Sequence, residues 1–234
     1  MAKNKNNSFN LLFLGLVNTL LLSSCFQIKL RDDISNFITP FSYEKAIKEY
    51  KAASYILDDE VVYKNENNAT ETTHEEFNFD RKSLQNISFS YLKQTSDKEG
   101  NTKLLNESIR SENGQYFYTK NEEEEVSCTL EFVNGKIDRF FYNNVDESYL
   151  DNYHGGGMYF GDQLLETASR FQNHIDIDEE NKLLIVQYID VPQSDGTIIN
   201  QLYHVDEFGM LVDYYLKLEN DVTVKTTTIA LTKK

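Results

Sequence analysis

The 234-residue chain carries 38 acidic against 23 basic side chains, a formal charge of −15 at neutral pH. That balance excludes a nucleic-acid surface, which needs basic groups to meet phosphates, and it disfavours lying flat on anionic lipid. With two cysteines in all, no disulfide scaffold is available, so the fold must rest on a hydrophobic core.

The first 24 residues read as an export signal. Lys3 and Lys5 make a short basic region, and an apolar run from Phe9 to Leu22 is broken only by Asn10, Asn18 and Thr19. The run is shorter than the ~20 residues that span a bilayer as a helix, and small residues follow it at Leu22-Ser23-Ser24-Cys25, as at a signal cleavage site. Leu-Ser-Ser-Cys resembles the lipobox of bacterial lipoproteins. The resemblance implies cleavage before Cys25, a diacylglyceryl group on that cysteine, and a domain held at the extracytoplasmic face of a cell membrane. Two acyl chains suffice for stable anchoring. Cleavage removes two lysines and no acid, leaving 210 residues at a net charge of −17. Residues 25–41 then serve as a lipidated tether, and 42–234 form a single domain.

The first expected element of that domain is a helix over 43–57, with Ser42 as its N-cap and Ala46, Ile47, Tyr50, Ala53 and Leu57 at helical spacing. Residues 64–76, rich in Asn, Glu and Thr, read as a polar loop or disordered excursion. From residue 77 the period changes to two. Ile87, Phe89 and Tyr91 alternate with serines, residues 97–101 make a turn, and runs over 104–110 and 115–120 flank Asn113-Gly114. Runs over 126–133 and 136–142 flank Asn134-Gly135 in the same way, so both Asn-Gly pairs predict hairpins. Cys128 falls on the apolar face of its run and reads as a small buried hydrophobe. A second helix is expected after Asp162, with Leu164, Leu165, Ala168 and Phe171 as its stripe. Strands follow over 182–190, 197–205, 211–218 and 222–231, separated by Asp195-Gly196, Phe208-Gly209 and Asn220-Asp221.

Several late strands are apolar on both faces. Leu183 and Ile185 lie on one side, Leu184, Val186 and Tyr188 on the other. A sheet covered on one face only would alternate more cleanly. The expected class is α+β: a long, curved, half-barrel-like antiparallel sheet with two helices on one face. The order of elements over 42–234, with Tyr203-His204-Val205-Asp206 before Gly209 and Leu211, resembles the half-barrel carrier fold of LolA, LolB and LppX-type lipoproteins. That resemblance implies an apolar cavity and an apolar or lipid-like ligand.

Catalytic patterns are incomplete. His154-Gly155-Gly156-Gly157 matches the oxyanion loop of some esterases, but the companion Gly-x-Ser-x-Gly is missing. With Met158, Tyr159 and Phe160 beside it, the segment reads either as a plain loop or as an apolar flap hinged on glycine at a cavity mouth. His74, His154, His174 and His204 lack zinc-site spacing. Asp176, Asp178, Glu179 and Glu180 lack the glycine and closing glutamate of an EF-hand and read as a turn between helix and strand. Glu122–Glu125 read as a solvated turn. The expectation is therefore a non-enzymatic protein without cofactor or metal, partnered by the membrane through its lipid and by an apolar ligand. The alternative is a structural or interaction module of the cell envelope that meets an envelope protein and holds no small molecule.

Overall fold

The computed structural model describes residues 32–38, 43–141 and 174–234. Cys25, the His154–Phe160 segment and the helix expected after Asp162 lie outside the described residues. Two short helices, α1 (Asp32–Ile38) and α2 (Tyr43–Glu49), precede β1 (Ala52–Tyr63), β2 (Ala69–Ser83), β3 (Asn86–Ser96), β4 (Thr102–Glu112), β5 (Gln115–Lys120) and β6 (Val126–Cys128). Helix α3 (Leu130–Phe141) follows, and beyond the undescribed stretch come β7 (Ile175–Asp178), β8 (Leu183–Pro192), β9 (Ile198–Asp206), β10 (Leu211–Glu219) and β11 (Thr223–Lys233). The strands form one curved, open, antiparallel sheet in the order β6-β5-β4-β3-β2-β1-β11-β10-β9-β8-β7. Two meanders therefore meet at the β1–β11 pairing, where Tyr55 faces Leu231 and Leu57 faces Ile229. This is the α+β half-barrel class expected from the sequence.

Three local expectations are corrected. The helix over 43–57 ends at Glu49, and Ala52–Tyr63 is a central strand. Ala53 and Tyr55 are buried while Ile56 and Asp58 face out, so the period from Ala53 on is two. A strand with neighbours on both sides gains pairing that a surface helix would forgo. The excursion over 64–76 is a tight turn followed by the 15-residue β2. Asn67 and Asn68 supply the left-handed backbone (φ 54° and 57°) that asparagine tolerates.

The third correction concerns Asn134-Gly135, which lies inside α3 and not at a hairpin turn. Thr129 Oγ1 accepts from the Phe132 N–H at 3.2 Å, an N-cap. Val133, Ile137, Phe140 and Phe141 are fully buried on one helical face. Packing of that face outweighs the turn propensity of one dipeptide. The Asn113-Gly114 turn is as expected: both residues have positive φ (54° and 78°), the backbone of a two-residue hairpin.

The core lies between α3 and the inner face of the β1–β4 half. Phe140 of α3 meets Phe79 at 4.8 Å, Phe77 at 5.2 Å and Tyr55 at 5.9 Å between ring centroids, and Phe77 meets Phe89 edge-on at 4.9 Å. The cluster continues to Ile175, Leu184, Val186 and Val205 in the other half. Tyr50, just after α2, donates at 2.5 Å to Asp206 at the end of β9. Burial pushes that carboxyl above its usual range, against the hydrogen bonds from Tyr50, Met210 and Phe208.

Candidate functional site

The two halves of the sheet treat their inner faces differently. In the β1–β5 half, a closed set of ion pairs lies beside the aromatic core. Glu107 of β4 accepts from Lys136 of α3 at 2.7 Å and from Tyr118 of β5 at 2.5 Å. Glu75 of β2 accepts from Lys93 of β3 at 2.8 Å and from Tyr55 at 3.4 Å. Glu107, Glu75 and Lys136 are 2%, 3% and 4% exposed. Burial holds the Lys136 ammonium below its usual pKa, with Glu107 opposing. The Tyr118 and Tyr91 hydroxyls are pushed up by burial and then by the neighbouring carboxylates. Each carboxylate is matched by a lysine and a tyrosine, so this set fixes α3 on the sheet and leaves little for a ligand to take. Further along the same inner face a shallow polar hollow of ≈ 270 Å³ is lined by Asp59, Glu71, Thr73, Thr95 and Lys103, among others.

The β7–β10 half is different. Among the described residues, a groove of ≈ 490 Å³ is lined by His174, Tyr188, Val191, Gln193, Ile199, Gln201 and Tyr203. Sheet register builds it: Tyr188 faces Gln201 and Val186 faces Tyr203 on β9. Val191 belongs to this face only because of a bulge. The register shifts between Tyr188 and Val191, and Val191 then faces Ile199. Asp190 sits there with φ 50°, and Asn200 clamps it: Asn200 Oδ1 accepts from the Asp190 N–H at 3.0 Å, and Asn200 Nδ2 donates to Asp190 Oδ1 at 3.1 Å. Without the extra residue Val191 would fall on the outer face.

The groove carries rings and amides. His174 and Tyr188 lie 5.1 Å apart, and Tyr203 stacks on Tyr214 of β10 at 6.2 Å. Gln201 Nε2 donates to the Tyr214 hydroxyl at 3.3 Å. Burial raises the pKa of both Tyr188 and Tyr214, so both hydroxyls stay protonated near neutrality. Leu216 and Leu218 of β10, opposite Gln201 and Ile199, extend an uncharged, half-buried stripe. Such a concave, apolar surface with a few polar groups has the character of a small-molecule site, and its volume lies within the ~300–1,000 Å³ usual for one.

Cys25 and His154–Phe160 are outside the described residues. Cys128 is half-buried against the core on β6, and burial raises its thiol pKa. On the outer face, His74 Nδ1 meets Asp58 at 2.6 Å and Nε2 meets Glu76 at 3.2 Å; His204 Nδ1 meets Asp213 at 3.3 Å. The two His74 contacts leave from opposite ring edges, which a single ion cannot share. No group of three metal-ligating side chains occurs among the described residues. Asp176 and Asp178 lie on β7, not in a turn after a helix, and the Asp178 carboxylate accepts from the Asn181 backbone and side chain at 3.0 and 2.8 Å. The sequence does not group the groove residues as a site: Tyr188 reads only as part of an apolar strand face, Tyr203 only within the carrier-fold resemblance and His174 only as a histidine without zinc-site spacing. The signal nearest the groove is the two-faced apolarity of 183–188.

No protein-family model and no curated protein matches the chain. Among solved structures the chain is similar to the crystal structure of a beta-barrel-like protein of the domain of unknown function DUF1849 from Brucella abortus. The likeness is 11% sequence identity over 80% of this chain and 99% of that chain, with a TM-score of 0.22.

Proposed function

We propose that the protein is an exported, lipid-anchored binding protein that holds an apolar ligand in the inner groove of the β7–β10 half. The observation that carries the reading is the uncharged, half-buried stripe of Tyr188, Val191, Ile199, Leu216 and Leu218. Apolar surface of this kind is stabilised by about 25 cal/mol for each Å² a ligand removes from water. The lipobox at Cys25 supports the address. Native extraction of the full chain followed by mass spectrometry tests the binding: a stoichiometric apolar molecule is expected, and a protein that releases none and takes up none refutes it. Cys25→Ser is expected to release the domain from the membrane fraction or leave it unprocessed, and a processed, membrane-bound variant refutes the anchor.

One observation favours the second reading, an interaction module of the envelope. Strand β4 pairs with β5 only from Glu107 to Glu112. The backbone of Thr102–Leu105 therefore has no neighbour on that side among the described residues, and Leu104 is 60% exposed. A free edge of this kind accepts an added strand. A photocrosslinker at position 104 that captures one consistent envelope protein in cells would support it, and capture of no consistent protein would refute it.

A further inference from the structure

The groove says more about its ligand than that it is apolar. In a chain in which 26% of residues are charged, the groove lining contains no Asp, Glu, Lys or Arg among the described residues. Burying an ionised headgroup there would cost several kcal/mol without a counter-charge. The polar groups present are amides and hydroxyls. Gln201 donates to Tyr214 through Nε2, which among the described residues leaves its carbonyl oxygen to accept a hydrogen bond. Beside it stand three rings, of His174, Tyr188 and Tyr203, with Val191 and Ile199 between the polar groups. Flat rings offer stacking and edge-to-face contacts worth ~0.5–1.5 kcal/mol each beyond area burial when they meet another ring. A flexible acyl chain would gain none of that directional part. The Asn200 clamp on the bulge holds Val191 in this lining, so the shape is set before a ligand arrives.

We propose that the ligand of this groove is an uncharged aromatic compound with a hydrogen-bond donor at its edge, and that Gln201 receives that donor. The inference rests on the apolar-binding reading above and narrows it from any apolar ligand to this class. The probe is N-phenyl-1-naphthylamine, an uncharged diarylamine of three aromatic rings that brightens in apolar sites. The protein has no tryptophan, so its own emission does not obscure the signal. The full chain is expected to bind one probe molecule in the micromolar range. Ile199→Glu is expected to weaken binding at least tenfold with the circular dichroism spectrum unchanged, while Leu104→Glu on β4 leaves it as it was. 2-Naphthol is expected to displace the probe, and 1-octanol, an uncharged chain with the same hydroxyl donor, at a hundredfold higher concentration is not. Gln201→Leu is expected to weaken 2-naphthol several-fold while sparing naphthalene, which lacks the donor.

Displacement by 1-octanol as readily as by 2-naphthol would overturn the aromatic assignment and leave the apolar-binding reading standing. Equal loss of 2-naphthol and naphthalene in Gln201→Leu would overturn the role of Gln201. Probe binding that ignores Ile199→Glu would overturn the groove as the site. A folded protein that takes up neither ring nor chain would end both readings.

Discussion

The β1–β5 half and the β7–β10 half share one sheet and one continuous inner face, yet they spend their side chains differently. The first half covers its inner face with α3, fills it with phenylalanines and closes it with ion pairs on Glu75 and Glu107. Among the described residues, the second leaves Tyr188, Ile199, Gln201, Leu216 and Leu218 half-buried, and no Asp, Glu, Lys or Arg lines its groove. The difference separates two tasks. A surface closed by its own helix contributes stability, whereas a surface left part-open retains apolar area for a partner to cover. Stability and binding should therefore respond to different substitutions.

The largest expected effect belongs to the first half. Phe77→Ala removes a fully buried ring that touches Phe79, Phe89, Tyr91 and Phe140, and should cost about 4 kcal/mol in urea unfolding. Loss of under 1 kcal/mol would mean that the core is elsewhere. Lys136→Met strands the buried Glu107 carboxylate and should cost about 3 kcal/mol, while Lys136→Met with Glu107→Leu should recover most of that loss, because no unpaired charge then remains. A double variant as unstable as the single one would show that the pair itself, and not its desolvation, sets the balance.

In the second half Asn200→Ala should cost only about 1 kcal/mol, the worth of its hydrogen bonds to Asp190, but should weaken groove binding out of proportion because Val191 loses its place. A fall in stability with binding intact would break the proposed separation. The smallest effect is on the outer face. Asp58, then Glu76, hold the His74 pKa above its ordinary value. Its contribution is therefore fully present below the unfolded value and lost as pH rises through the folded one. The melting temperature should decline slightly between about pH 6 and pH 8, and His74→Gln should flatten that slope without touching the groove.

The sequence showed the class and most of the meander because turns are written locally. Asn113-Gly114, Asp195-Gly196 and Asn220-Asp221 each mark the end of a strand by backbone chemistry confined to a few residues. It misled where distant partners decide. Ala46 to Leu57 fits a helical stripe until β2 and β11 take Ala52–Tyr63 between them. Asn134-Gly135 reads as a turn until Phe140 finds the ring row of the sheet. The groove was the least legible part. It depends on a one-residue bulge clamped by a side chain ten positions away, and no period of two or of 3.6 registers such a shift.

The pairing of β1 with β11 has a consequence for how the chain comes together. The strands over 52–128 are joined by short turns and can assemble from neighbours, but β1 finds its second partner only at residues 223–233. Roughly 160 residues must be looped to bring the two together, a closure whose entropy grows only slowly with length but which delays the contact. During synthesis the first meander must wait with its β1 edge unsatisfied until the final strand emerges. A chaperone that shields strand edges would have most to protect in that interval, and losing β11 would leave two separate sheets with no shared seam.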